Sequence, residues 1–293
     1  MQKILVLRGG ALGDLIVTLP ALAALRRRWP TTWIELAGNI NASILALDTH
    51  LIDVAHSQHE ARWSSLFNPE PLPTKFASWL RAFDLVLNYW PDPDGVLAGH
   101  FPEKSAPCFL SASAQPEEAP AAAHFCAPLR TLGIKPDSFM FQLRARSVSR
   151  AEKLRIAVHP GSGSARKNWP VSRWKDLCAW LRDTLGASLL IVTGEAEPED
   201  ARALAGFGCA AHQLPLLTLS NELASCHLFV GHDSGISHLA AACGVPCVLL
   251  FGPTIPSLWA PPTSFVRVLK SGTSLAVITL AEVQHAVAEC LKK

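Results

Sequence analysis

HLFVGHDSGISHLAAACGVPCVLLFG, residues 227–252, is the stretch from which the fold can be read. HLFVG (227–231) and CVLLFG (247–252) are short apolar runs bounded by Gly and Pro, the signature of buried strands. Between them SGISHLAAAC (234–243) reads as a helix. A strand, a helix and a second strand this close together make a crossover unit, and so a parallel sheet with covered faces. Asp233 and Ser234 fall where strand meets helix. The N–H groups of Ser234, Gly235 and Ile236 should therefore lack intrahelical partners and offer an anion site. Ser234 and His238 are four apart on this helix and share one face. FGPT (251–254) should lie beside them. A Ser–His–Asp hydrolase is a tempting reading of the same residues, but G-x-S-x-G is absent, and Ser and His one helical turn apart seldom meet with the base oriented by Asp.

Working outward, the alternation continues in both directions. LRIAVHP (154–160) is a strand, 172–185 a helix, SLLIVTG (188–194) a strand, 197–206 a helix, and 280–291 the last helix. Upstream, KILVLR (3–8), WIELA (33–37) and DLVLNY (84–89) are strand-like. ALAALRRR (21–28) and 40–47 look helical, and 117–132 reads as a helix ending at Gly133 despite Pro120 and Pro128. A polar, basic seam at 135–153 separates the two series and puts a domain boundary at about 150. The expected domains are 1–150 and 151–293, with the last helix a candidate to pack back on the first domain. Stretches 56–76 and 90–117 read as long loops, which in compact domains are often functional.

Composition supports two domains. The 293 residues are 49% hydrophobic and 17% charged, enough for two cores. A net charge of +2, from 26 basic and 24 acidic residues, is too balanced for a chain whose main partner is nucleic acid. No run approaches the roughly 18 apolar residues of a membrane span. The opening MQKILVLRGG reads as a first strand rather than a secretory signal, and the protein as cytoplasmic. The eight cysteines are spread singly without a C-x-x-C pair, which favours reduced thiols used as small hydrophobes.

Two further glycine turns follow strands. RGGALGD (8–14) allows a tight turn and ends on Asp14, at the C-terminal edge of a sheet where open α/β folds bind ligands. Asp14 is either a functional carboxylate there or an N-cap. HPGSGSARKNWP (159–170) could form an anion-binding nest from the N–H groups of Gly161 to Ser164, with Arg166 and Lys167 adding charge, or be an ordinary strand–helix turn. DPD (92–94) resembles a metal-binding D-x-D, but Pro93 favours a turn. His56 and His59 fare no better as ligands. RRRW (26–29) closes a helix, where cations suit the dipole; it could also face anionic lipid.

These segments, in this order, resemble the ADP-heptose:lipopolysaccharide heptosyltransferase family. GALGDLIVTLPAL (10–22), HPGSGSARKNWP (159–170) and GHDSGISHLAAACGVP (231–246) are similar to its three motifs. The resemblance spans about residues 8 to 260, while 56–135 match nothing in it. It implies a GT-B fold: α/β, two Rossmann-like domains with parallel sheets facing a central cleft, acceptor on the first and nucleotide-sugar on the second. It further implies an inverting transfer with no cofactor and no metal in the chemistry. Asp14 then takes the position of the proposed general base, and Lys167 that of the lysine holding the donor phosphates. Ser162 and Gly163 fall in the phosphate turn, and Asp233, Ser234, Gly235 and His238 match the donor-site helix. Glu197 is near an acidic residue that contacts the nucleoside, although the alignment could slip to Glu195 or Glu199.

That chemistry suits the residues. Transfer to a hydroxyl needs one carboxylate to take the proton, whereas the diphosphate leaving group needs only charge stabilisation. The expected partners are ADP-heptose as nucleotide-sugar donor and a glycolipid acceptor of the lipopolysaccharide core, with no nucleic acid. Peripheral contact with the inner membrane surface stays open. The alternatives are the same scaffold with another nucleotide-sugar or a protein acceptor, and an inactive nucleotide-sugar-binding module. The presence of both Asp14 and Lys167 argues against the last.

Overall fold

A computed structural model describes residues 1–102, 107–143, 150–194 and 203–292. The chain divides into two compact units, Met1–Phe141 and Gln142–Lys293. The division falls ahead of the expected boundary at 150. Leu143 N–H donates to Ala242 O (2.8 Å), so the chain joins the second unit there.

The first unit is a five-stranded sheet of β1 (Lys3–Arg8), β2 (Trp33–Gly38), β3 (Val54–Ser57), β4 (Leu85–Asn88) and β5 (Cys108–Ser111). Its order is β3-β2-β1-β4-β5, and the pairings are all parallel. Its helices are α1 (Leu12–Arg28), α2 (Ile40–Asp48), α3 (Thr74–Leu80), α4 (Val96–Gly99) and α5 (Ala121–Cys126). β1 is buried from Ile4 to Arg8, as a central parallel strand should be. Leu5, Leu7, Ala37 and Val86 carry one core together with Trp63, Phe76, Phe83, Trp90 and Phe101. The supposed loops 56–76 and 90–117 thus hold short elements that cover this face. The expected helix 117–132 is shorter: α5 starts after Pro120, and a 3-10 turn, Ala127–Leu132, leads to Gly133 in the left-handed region. Pro128 lacks the N–H that a continued α-helix would use.

The second unit is a six-stranded parallel sheet: β6 (Arg155–His159), β7 (Ser188–Thr193), β8 (Cys209–His212), β9 (Leu228–His232), β10 (Cys247–Phe251) and β11 (Val266–Lys270). Their order is β11-β10-β9-β6-β7-β8. The helices are α6 (Val171–Asp183), α7 (Leu216–Ala224), α8 (Gly235–Ala242), α9 (Pro256–Trp259) and α10 (Leu280–Leu291). Counted from β6, the order is 6-5-4-1-2-3, the doubly wound arrangement also begun by the first unit. α10 buries Val283, Ala286 and Val287 in this unit's own core, which is where its apolar face is spent. The expected helix over 197–206 lies mostly outside the described residues; its end is a 3-10 turn, Ala205–Phe207.

Candidate functional site

Doubly wound sheets bind ligands outside the strand C-termini, where the winding reverses. In the first unit that point is between β1 and β4, and β1 runs there into Gly9 and Gly10. Gly10 has φ +100°, and a Cβ on it would come 2.4 Å from Asp14 Oδ2. The turn delivers Asp14 as the third residue of α1, behind the N-cap Ala11, so Asp14 is not itself the N-cap. Its Oδ2 accepts the Ala11 N–H (2.8 Å), and its Oδ1 pairs with Arg8 Nη2 (2.9 Å).

Arg8, which no motif marks as functional, holds Asp14 in place. Its side chain is only 3% exposed against 31% for Asp14. Its Nε donates to Thr18 Oγ1 (3.0 Å), and its guanidinium lies over the Phe125 ring, 4.2 Å from the centroid. Burial lowers its pKa, against the opposing pull of Asp14. Ends of neighbouring strands supply more polar groups. Gln58 Oε1 accepts Gly10 N–H (3.2 Å), and Asn39 Nδ2 donates to Gly10 O (3.3 Å). The Trp90 indole packs beside Gly9.

In the second unit the winding reverses between β6 and β9, which pair through His159 and Gly231. Both glycine motifs of this half therefore leave the sheet side by side. Lys167 Nζ meets Asp233 Oδ2 at 2.7 Å; the side chains are 30% and 9% exposed. Ser162 Oγ is within hydrogen-bond distance of Ser164 O (2.8 Å) and Asn168 Oδ1 (2.7 Å), and it accepts Ser164 N–H (3.3 Å). The Ser164 N–H is thus partly used inside the loop, whereas Gly163 is exposed. Ser234 is the N-cap of α8 and accepts from Ser237 N–H (3.3 Å). Gly235 and Ile236 stand at the first two helical positions, where N–H groups have no intrahelical partner. Ser234 Oγ also meets Ser237 Oγ (3.1 Å), a capping arrangement rather than a nucleophile's. His238 is buried in the same first turn. Phe251, from which FGPT continues, ends the strand beside β9.

Two histidines lie beneath this surface. His159 Nδ1 is 3.0 Å from Val192 O, and burial brings its pKa down to about 4. His232 contacts Trp169 N (2.9 Å) and Gly161 O (3.3 Å). Burial, aided by His159, brings its pKa down to about 3.

Glu197, with Glu195 and Glu199, lies outside the described residues. The turn reading of DPD is the one the geometry matches: Asp92 accepts the N–H groups of Leu97 (3.0 Å) and Ala98 (2.9 Å). Among the described residues no group of three or more His, Cys, Asp or Glu could hold a metal ion. His56 is bonded to Glu35 (2.6 Å) and Arg62 (2.9 Å) and packs against Trp63 and Trp79. Burial opposes ionisation of Glu35, but hydrogen bonds from His56 and Lys3 hold its pKa down at about 2. Arg26 bonds Asp53 and the Thr32 carbonyl, Arg27 bonds Asp137 and the Lys135 carbonyl, and Arg28 sits over Trp29. The RRRW cations are thus engaged within the first unit. Cys126, Cys178, Cys226 and Cys247 are buried as expected, but Cys108 and Cys209 are exposed on edge strands. Among the described residues no helix is long and apolar enough to cross a membrane.

Comparison with known proteins agrees with this architecture. The model of glycosyltransferase family 9 (heptosyltransferase) matches residues 129–280, just over half of the chain. Lipopolysaccharide heptosyltransferase 1 of Pseudomonas aeruginosa is 35% identical over 100 residues, 33% of this chain and 28% of the relative. The match thus spans less than a third of that curated relative. Among solved structures, a family 9 glycosyl transferase from Veillonella parvula superposes with a TM-score of 0.77 at 20% identity, covering 99% of this chain and 97% of the other. An E. coli ADP-heptose lipopolysaccharide heptosyltransferase II gives 0.76 at 19% identity, covering 99% of each. At these identities the structures speak for the fold, two α/β units, each built on a parallel sheet, of the GT-B class.

Proposed function

This chain belongs to glycosyltransferase family 9 (heptosyltransferase), and from that premise we propose that it is an inverting glycosyltransferase that moves a heptose from ADP-heptose to a hydroxyl of a lipopolysaccharide-core acceptor. The observation that carries the reading is the meeting of Lys167 and Asp233 at the winding reversal of the second sheet, beside the N-terminus of α8. An entering diphosphate finds there an ammonium group and helix N–H donors, the combination that stabilises a departing anion. Ser162 and Gly163 shape the loop, Ser234 and Gly235 start the helix, and His238 lines its first turn. Glu197 is proposed for the nucleoside on the motif match alone.

Asp14 is the proposed general base. Its carboxylate is partly exposed, and its bonds to Arg8 and Ala11 leave further lone pairs for an acceptor hydroxyl. Domains 1–150 and 151–293 are proposed to bind acceptor and donor respectively. The donor identity is supported by the names of the relatives, one of which is an ADP-heptose enzyme. We place the enzyme in the cytoplasm, reaching a glycolipid at the inner membrane surface.

The test is release of nucleoside diphosphate from ADP-, UDP- and GDP-sugars, with and without lipopolysaccharide-core acceptor, alongside calorimetry with ADP. Turnover that is fastest with ADP-heptose and depends on the core acceptor is expected. A chain that binds ADP but transfers another sugar shifts the proposal to that donor. A chain that binds no nucleoside diphosphate overturns it.

A further inference from the structure

The loop that carries Ser162, Gly163 and Lys167 is joined to β9 at both of its ends by one side chain. His232, the last residue of β9, is fully buried. The Trp169 N–H can only donate, so Nε2 of His232, 2.9 Å away, must accept. The Gly161 carbonyl can only accept, so Nδ1, 3.3 Å away, must carry the proton. Both partners fix the same uncharged tautomer. The ring is further held edge-on by Trp174, at 5.1 Å between centroids, and Trp169 is tied in turn to Ile278 O through its indole N–H (2.8 Å). The backbone carbonyl of His232 accepts the Ser237 hydroxyl in the first turn of α8. One residue thus links the loop's start, the loop's end and the helix N-terminus. It directly precedes Asp233, the partner of Lys167.

We propose that His232 is a positioning residue of the donor site: its imidazole fixes both ends of the 161–169 loop so that Lys167 and the helix N-terminus present one preformed anion site. The proposal rests on the donor-site reading above. His232 touches no ligand in this account. It acts by removing the freedom the loop would otherwise lose on binding, which is how preorganisation raises affinity.

Three substitutions separate positioning from packing. His232→Leu is apolar and removes both contacts. His232→Gln can still accept from Trp169 N–H, and His232→Asn can still donate to Gly161 O. Calorimetry with ADP on the full chain should show His232→Leu weakened by about tenfold or more, with His232→Gln and His232→Asn each regaining part of the loss. Donor KM should rise in the same order while acceptor KM stays unchanged. A packing role predicts the reverse ranking, with Leu tolerated best and the losses confined to Tm. Wild-type ADP affinity in all three folded variants, or Leu the tightest binder, overturns the proposal. Should His232→Leu not fold, Gln and Asn carry the test: wild-type affinity in both overturns it, and weakened binding with a raised donor KM supports it. A wild-type chain without ADP affinity overturns the donor-site reading itself, and this proposal with it.

Discussion

The two units place a glycine turn at the same point of the same winding, and they do opposite things with charge there. In the first, the turn is short and closed. Gly10 folds Asp14 back against Ala11 N–H and the buried guanidinium of Arg8. In the second, the loop is longer, Gly163 is open, and the Lys167–Asp233 pair joins residues that follow two separate strands, β6 and β9. A doubly wound sheet fixes where a ligand sits, and the turn decides what sign of charge is offered. The first turn presents a carboxylate suited to receive a proton; the second presents a cation and helix N–H groups suited to an anion.

The sharpest way to break this contrast is Asp14→Asn. The amide oxygen can still accept Ala11 N–H but cannot take a proton at neutral pH. Transfer should fall by roughly 10²–10⁴ while ADP affinity is kept. The variant should also melt lower than wild type, because Arg8 keeps its burial and loses its counter-charge. Steady-state kinetics beside thermal melts read both effects. A wild-type rate would reduce Asp14 to closing the start of α1.

On the other side of the comparison stands Lys167→Ala, expected to cost about 2–4 kcal/mol of transition-state stabilisation in kcat/KM. Part of that loss would come from the nearly buried Asp233 left facing the diphosphate unpaired. The double variant Lys167→Ala/Asp233→Asn separates the two contributions: recovery relative to the single variant measures the repulsion. If Arg166→Ala lowers kcat/KM and Lys167→Ala does not, the phosphate cation is Arg166.

Much of this is legible in the sequence, and what is not has local physical causes. The seven strands legible as apolar runs, β1, β2, β4, β6, β7, β9 and β10, are all interior to their sheets. The four strands missed, β3, β5, β8 and β11, are the four sheet edges. VAHS, CFLS, CAAH and VRVLK have one strand neighbour each and are partly exposed, so their apolar runs are no longer than three residues and do not stand out. The start of α1 was missed because GALGD reads as turn, although the helix begins at Leu12. At the proposed site, the motifs name Lys167 and Asp233, which the structure brings together, whereas Arg8 and His232 carry no motif signal. Each is a polar residue ending a strand that is otherwise buried, and such a residue needs a partner nearby. That signal was available in KILVLR and LFVGH.

A third test uses acid. His159 and His232 are buried with pKa values down at about 4 and about 3, so the unfolded chain binds more protons than the folded one between those values and about 6.5. Stability is therefore full above about pH 6.5 and is lost as pH falls, by roughly 1.4 kcal/mol per pH unit for each histidine in that window. The first unit's turn has no such histidine. Hydrogen exchange at pH 7 and pH 5.5 should show protection falling in β6 and β9 ahead of β1. Equal losses in the two units would mean that the imidazoles do not govern the acid response.

The smallest and most local contrast lies between two glycines. Gly10 sits at φ +100°, and its Cβ would meet Asp14 Oδ2 at 2.4 Å. Gly163 has no atom within 4 Å of its would-be Cβ and lies outside the left-handed region. Gly10→Ala must therefore either shift Asp14 from Arg8 or hold an alanine in a backbone region it rarely adopts, at a cost of about 1–3 kcal/mol. Gly163→Ala meets neither obstacle and should change stability by no more than about 0.5 kcal/mol, in the direction of a stiffer unfolded chain. Function divides the pair a second time. Displacing Asp14 should make Gly10→Ala a transfer mutant with intact ADP affinity. With the diphosphate over the 161–167 loop, as proposed, a methyl on the open side of Gly163 would compete for that space, so Gly163→Ala should weaken ADP binding without lowering Tm. Thermal melts and ADP calorimetry on both variants decide it: a Gly163→Ala chain with wild-type ADP affinity would move the diphosphate away from the 161–167 loop and onto the α8 terminus alone.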